Sequence, residues 1–153
     1  GGACYPDGHY EAPNKDADIE NLKKKVDAGV EFLSTQMFFD NAVFYNYLYR
    51  LRAKGITVPV LAGIMPITGA KLLGRSVTMS GTTVPARYKA IIDAYGDSPE
   101  AIKQAGIIYA SEQITDLLAN GVKNIHVFTM NKPDVAEAVY SNIKPALDYL
   151  NGN

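Results

Sequence analysis

Residues Ala42–Pro66, AVFYNYLYRLRAKGITVPVLAGIMP, decide the fold. Ala42–Lys54 reads as a helix. Gly55 then fits a C′ position, where a left-handed backbone costs least without a β-carbon. Ile56–Ile64 is almost continuously apolar or β-branched, and Met65-Pro66 closes it as a loop tip. A strand that is apolar on both faces is the pattern of a parallel sheet covered on both sides.

The same order occurs on either side of this stretch. Upstream, Leu22–Ala28 is followed by Gly29, Val30–Thr35 and the tip residue Gln36; downstream, Ala101–Asn120 is followed by Gly121, Val122–Phe128 and the tip Thr129–Asn131. Helix starts agree with this reading. Asp18 is placed to cap the first helix. Asp40 is placed to cap the second, with Phe39 and Phe44 as a hydrophobic staple. Ser98-Pro99 and Lys132-Pro133 each put proline at a first helical position. With a short apolar strand at Gly1–Tyr5, four strands alternate with helices, which predicts an α/β fold with a parallel sheet and right-handed crossovers. The connection Thr68–Asn120 is longer than the others. It holds helical segments at Gly69–Met79 and Ala86–Tyr95, split by a break at Gly81–Pro85, and so predicts extra helices before the last strand. No linker divides the chain, and residues 1–153 read as a single domain.

Four such units form either a small open sheet or half of an eight-stranded (β/α)8 barrel of the TIM type. No glycine-rich phosphate fingerprint follows any strand, which argues against a dinucleotide-binding Rossmann unit. Polar residues at every strand's carboxyl end suit the active face of a barrel. A half barrel leaves two parallel edges unpaired, and such edges invite a partner chain or a second copy, so a homo-oligomer is expected.

Composition narrows the function classes. The chain is 47% hydrophobic and 20% charged, with a formal net charge of -1. That balance gives no overall electrostatic footprint for nucleic acid or an anionic membrane. No apolar run reaches the ~20 residues needed to span a bilayer. A single cysteine, Cys4, excludes a disulfide framework and a cysteine-rich zinc site, and fits a reducing cytoplasm.

The loop Cys4–Ala12, CYPDGHYEA, follows the first strand and carries Tyr5, Asp7, His9 and Glu11 as candidate ligand-binding residues. Alternatives stand beside each candidate. Tyr5 could be core filler and His9 a turn-stabilising histidine. Asp18, Asn21, Lys24 and Lys25 share the start and first turns of a helix in this reading, where lysines near a helix N-terminus suit a pyrophosphate; the alternatives are a plain cap and a solvated charge run. Gln36 follows an apolar strand and offers an amide with donor and acceptor together, or else is satisfied by neighbouring loop backbone. His126, inside the last strand, reads as a core histidine. Tyr45, Tyr47 and Tyr49 cannot share one helix face and read as packing and surface.

The segments Tyr5–Ala12 (YPDGHYEA), Thr35–Asp40 (TQMFFD), Pro59–Pro66 (PVLAGIMP), Ala94–Asp97 (AYGD) and Phe128–Asn131 (FTMN), in this order and at these intervals, resemble the methylenetetrahydrofolate reductase family over essentially the whole chain. The resemblance implies a (β/α)8 barrel carrying FAD at the strand ends, with this chain supplying strands five to eight. It implies hydride transfer from NAD(P)H to the flavin and on to 5,10-methylenetetrahydrofolate. By the same resemblance, Tyr5 packs on the flavin, His9 and the Ala12 backbone contact the cofactor, and Asp18, Asn21, Lys24 and Lys25 bind its phosphates and adenosine end. Gln36, Leu72 and Lys132 fall at the folate. The sequence departs from the family at Tyr10, often proline, at Lys132, usually arginine, and at Leu72 and Ser76, where some relatives carry a polar contact and an aromatic. The family's acidic catalytic groups lie on earlier strands, so no catalytic residue is expected here and the chain alone is expected to lack activity. The alternative is a structural half barrel that self-associates through its open edges. A lysine Schiff-base aldolase is a third reading, weakened because only Lys132 lies near a strand's carboxyl end.

Overall fold

The computed structural model describes residues 1–152. Four strands, β1 (Gly2–Cys4), β2 (Leu33–Thr35), β3 (Val60–Ile64) and β4 (Ile125–Val127), lie side by side in sequence order. All three pairings are parallel, with Gly2–Cys4 aligned on Leu33–Thr35, Leu33 and Ser34 on Val60 and Leu61, and Ala62–Ile64 on Ile125–Val127. Helices α1 (Lys15–Asp27), α2 (Asn41–Ala53), α3 (Ala70–Ser80), α4 (Ala86–Tyr95), α5 (Pro99–Ala119) and α6 (Pro133–Asn151) fill the connections.

The expected glycines terminate their helices: Gly29, Gly55 and Gly121 take φ of +105°, +73° and +80°. The strands are shorter than their apolar runs. Pro59 has no N–H to give a ladder, so β3 begins after it, while the Pro59 carbonyl accepts the Leu33 N–H at 2.8 Å. Two helix starts differ from expectation. The α1 cap is Asn14, whose Oδ1 accepts the Ala17 N–H at 2.9 Å, and Asp18 lies inside the helix. Asp40 does cap α2, accepting the Ala42 N–H at 2.8 Å, but the staple does not form. Phe44 stacks instead on Phe38, with centroids 4.9 Å apart, and Phe39 turns to Tyr88. The reason is that Phe38 and Phe39 point into separate apolar clusters.

The main core lies between the sheet and helices α1, α2, α5 and α6. Cys4, Leu33, Val60, Ala62 and Ile64 meet Ile19, Phe44, Leu51, Ile107, Ile114 and Val139 there. Ile125 and Val127 pack against this core, so strand alternation sends His126 to the opposite face, where it is exposed and lies edge-on to Phe128. That corrects the reading of His126 as a core histidine. Ala3 is exposed on the same face, with Ser34 and Leu61 half-buried. Among the described residues, helices therefore cover the strands on one face only.

The long connection contains the barrel helix α5, which packs on α6, α2 and β3, preceded by the extra helices α3 and α4. A second cluster of Met37, Phe39, Met65, Ile67, Tyr88 and Tyr109 seats these helices over the carboxyl ends of β2 and β3, with Leu72, Leu73 and Val77 resting on it.

Candidate functional site at the strand carboxyl ends

After Cys4 the chain reverses through Tyr5-Pro6-Asp7-Gly8. Proline pre-sets the turn, and the Gly8 N–H, on a residue at φ +97°, donates to the Tyr5 carbonyl at 2.9 Å. The reversal brings His9 onto Tyr5, edge to face at 4.5 Å and 88°, and the imidazole also stacks on Tyr10 at 4.8 Å. The Glu11 N–H donates to His9 Nδ1 at 3.2 Å. In the neutral ring this leaves Nε2 carrying the proton as a free donor. The His9 N–H donates to Asp18 Oδ2 at 3.2 Å, and the Ala12 N–H to the His9 carbonyl at 3.0 Å. Asp18 thus clamps the loop from within α1 instead of capping the helix. Tyr5, His9, Ala12 and Asp18 form one unit.

Asn21 and Lys24 are joined through Oδ1 and Nζ at 3.4 Å, and both are exposed. Lys24 and Lys25 do not occupy the first turns of the helix. They sit in the last turn of α1, favourably placed at the negative end of its dipole. At 1.5 Å per residue Lys25 lies about 15 Å along the axis from the helix start. The helix begins earlier than Asp18 because Asn14 caps it.

The Gln36 N–H donates to the Cys4 carbonyl at 2.8 Å, which fixes the tip of β2 beside the end of β1. Its side chain folds back, Oε1 accepting the Met37 N–H at 3.0 Å. One crevice is lined by Tyr5, Pro6, Asp7 and Gly8 on one side and Gln36, Met37, Ser80 and Thr82 on the other. Leu72 is half-buried on the second cluster. Lys132 Nζ donates to Thr68 Oγ1 at 2.7 Å, tying the β4 tip to the β3 tip. Met130 and Asn131 before it both hold left-handed backbone, φ 52° and 58°, a conformation that costs a non-glycine residue about 1 kcal/mol.

Beneath the site, burial pushes the Cys4 thiol up to about 12, and burial likewise keeps the neighbouring Tyr47 hydroxyl protonated. Among the described residues no three His, Cys, Asp or Glu side chains gather as metal ligands, and no helix is long and apolar enough to cross a membrane. Ser80, Thr82 and Thr68 escaped the sequence reading. The partners of Thr82 and Thr68, Met37 and Lys132, are distant in sequence, and small hydroxyl residues at helix ends and in loops carry no periodic signal.

Parallel strands in sequence order, helices between them and polar tips converging on one end define a chain of the TIM-barrel type, with the candidate site at the strand carboxyl ends. The family model for methylenetetrahydrofolate reductase matches residues 1–144, and the chain belongs to that family. Methylenetetrahydrofolate reductase 2 of Saccharomyces cerevisiae is 39% identical over 134 residues, covering 86% of this chain and 22% of the relative. The 5,10-methylenetetrahydrofolate reductase of Pectobacterium carotovorum is 35% identical over 137 residues, covering 90% of this chain and 46% of the relative. Methylenetetrahydrofolate reductase (NADH) 1 of Arabidopsis thaliana is 33% identical over 150 residues, 92% of this chain and 25% of the relative. The chain thus spans less than half the length of these curated relatives. An uncharacterised Clostridium thermocellum protein that binds two copies of 5-methyl-5,6,7,8-tetrahydrofolic acid shares the fold, with a TM-score of 0.60 at 17% identity over 97% of this chain and 53% of that one.

Proposed function

We propose that this chain forms the flavin- and folate-contacting part of a methylenetetrahydrofolate reductase barrel. The whole protein would use NAD(P)H to reduce 5,10-methylenetetrahydrofolate to 5-methyltetrahydrofolate through FAD, in the cytoplasm. The observation that carries this reading is the meeting of Tyr5 with Gln36 across one narrow crevice at the ends of β1 and β2, with His9 held beside Tyr5 by ring contact and by Asp18.

The residues fit the cofactor. A flavin's carbonyls and pyrophosphate are acceptors, and the groups offered here are donors: His9 Nε2–H, the Gln36 NH2, the Lys25 ammonium and that of Lys24, which also meets Asn21 Oδ1. When bound, FAD supplies the hydride chemistry, and the protein binds and orients. Tyr5 offers an aromatic surface to the ring system, with Ala12 closing the loop beside it. Asp18 holds that loop, and Asn21, Lys24 and Lys25 line α1 toward the adenosine end. Gln36, Leu72 and Lys132 face the folate in this reading. Lys132 keeps the charge of the family's arginine without its bidentate fork.

The test is a visible-absorbance titration of the chain with FAD. We expect a bound-flavin band, and about tenfold weaker binding for His9→Ala, the loss of one hydrogen bond. Flavin uptake unaffected by both Tyr5→Ala and His9→Ala would overturn the assignment of these residues.

A further inference from the structure

We propose that Thr82 is a positioning residue for Gln36, and that it fixes Gln36 as a hydrogen-bond donor toward its ligand. The inference rests on the reading of Gln36 as a ligand contact. Thr82 is 3% exposed, and its Oγ1 donates to the Met37 carbonyl at 3.1 Å. Ser80 backs it. The Ser80 hydroxyl lies 2.9 Å from Thr82 Oγ1 and 2.8 Å from the Ser76 carbonyl, sharing its proton between them, and it accepts the Thr82 N–H at 3.2 Å. The chain just beyond α3 thereby holds the Met37 carbonyl.

The preceding peptide group, between Gln36 and Met37, is met by Gln36 itself, whose Oε1 accepts the Met37 N–H at 3.0 Å. An N–H can bond only to the amide oxygen, so this contact settles which way the amide lies. The oxygen is engaged with the backbone and the NH2 is left as the free end. A ligand meeting Gln36 finds two N–H donors, which match an acceptor such as a ring carbonyl. A group that offers only donors finds the oxygen already in use. Held at its carbonyl, Met37 keeps its backbone torsions and so keeps its N–H aimed at Gln36; were those torsions free to change, the amide would lose its anchor and present either end. The buried hydroxyl pair prevents this, through contacts spanning Met37 to Thr82 that bridge the β2 tip and the extra helix α3.

The test uses nitrogen-15 NMR of the intact chain. Thr82→Val keeps the size of the side chain and removes the donor. We expect the Gln36 side-chain NH2 pair to move to the averaged position of a solvated amide. The Met37 amide should exchange about tenfold faster, as expected for one lost hydrogen bond, with the signals of α5 and α6 unmoved. Thr82→Ser should restore both. Unchanged Gln36 and Met37 signals in Thr82→Val, or no restoration in Thr82→Ser, would overturn the inference. If Thr82→Val does not fold, Thr82→Ala decides. It removes the same bond to the Met37 carbonyl without placing a second methyl beside Ser80, and should give the same shifts; no shift rejects the proposal. Adding 5-methyltetrahydrofolate to the unmodified chain tests the underlying reading separately. A shifted Gln36 NH2 signal supports ligand contact. An unmoved one removes that reading and the ligand part of the inference, while the variants still decide the positioning.

Discussion

At the scale of single residues, Cys4 shows how burial sets chemistry. Its side chain is 1% exposed, and desolvation raises its pKa to about 12. The nucleophile is the thiolate, so Cys4 stays inert near neutrality. We expect no labelling by iodoacetamide at pH 8 in the native chain and complete labelling in denaturant; native labelling at the denatured rate would contradict this. The sign of the linkage follows. The folded pKa lies above the unfolded value of about 8.5. The contribution to stability is therefore full below that value and is lost as pH rises from there toward about 12. Cys4→Ala should flatten the alkaline fall in the denaturation midpoint.

At the scale of elements, two contacts fasten the long helix α5. Gly106 lies where the Ile67 carbonyl presses into the helix, and a Cβ there would stand 1.9 Å from that oxygen. Gly106→Ala would raise helix propensity by about 1 kcal/mol, but the overlap is with backbone and cannot be relieved by a rotamer change. Overpacking of this kind costs about 1–3 kcal/mol or more, so the variant should be less stable in urea; a stabilised variant would refute the close approach. Asp116, on the same helix, accepts from Tyr45 Oη and Asn41 Nδ2, both at 2.7 Å, joining α5 to α2. The Tyr45 bond first, then that from Asn41, holds its carboxyl below the usual range. That stability is present above an unfolded pKa of about 3.9 and lost as pH falls through the lower folded value. Asp116→Asn should remove this part of the acid dependence, seen as a shallower fall of Tm between pH 5 and pH 2.

At the scale of the molecule, among the described residues, β1 and β4 each have a neighbouring strand on one side only, and the face bearing Ala3 and His126 carries no covering helix. Unpaired parallel edges seek partners. Light scattering should therefore report a mass that rises with protein concentration, and a fixed monomer mass would argue against edge pairing. Turnover is a separate matter. With FAD, NAD(P)H and menadione the chain alone should show no steady oxidation of the nucleotide. Sustained turnover would mean that the groups at the ends of β1–β4 suffice for the hydride step.

Much of this architecture was legible in the order of residues. Local rules acted within a few positions. Glycine ended helices at Gly29, Gly55 and Gly121, proline opened α5 and α6, and apolar runs marked four parallel strands. The break at Gly81–Pro85 separated α3 from α4 as read. The candidate site was legible as loops at strand ends, since alternation of strand and helix places every tip on one side. Its wiring was not. Asp18 looked like a cap, but Asn14 took that position and Asp18 bound the His9 backbone instead. Phe39 left its expected partner for a cluster built by residues from Met37 to Tyr109. His126 faced outward because Ile125 and Val127 claimed the core. The Gln36 amide was oriented through Met37, whose carbonyl is held by a hydroxyl from beyond α3. Local propensity determined the helices because their hydrogen bonds close within a few residues, and marked the strands because their apolar runs are continuous in the chain. Only the tertiary structure decided these partners, because each depends on which distant segments meet at the ends of the sheet.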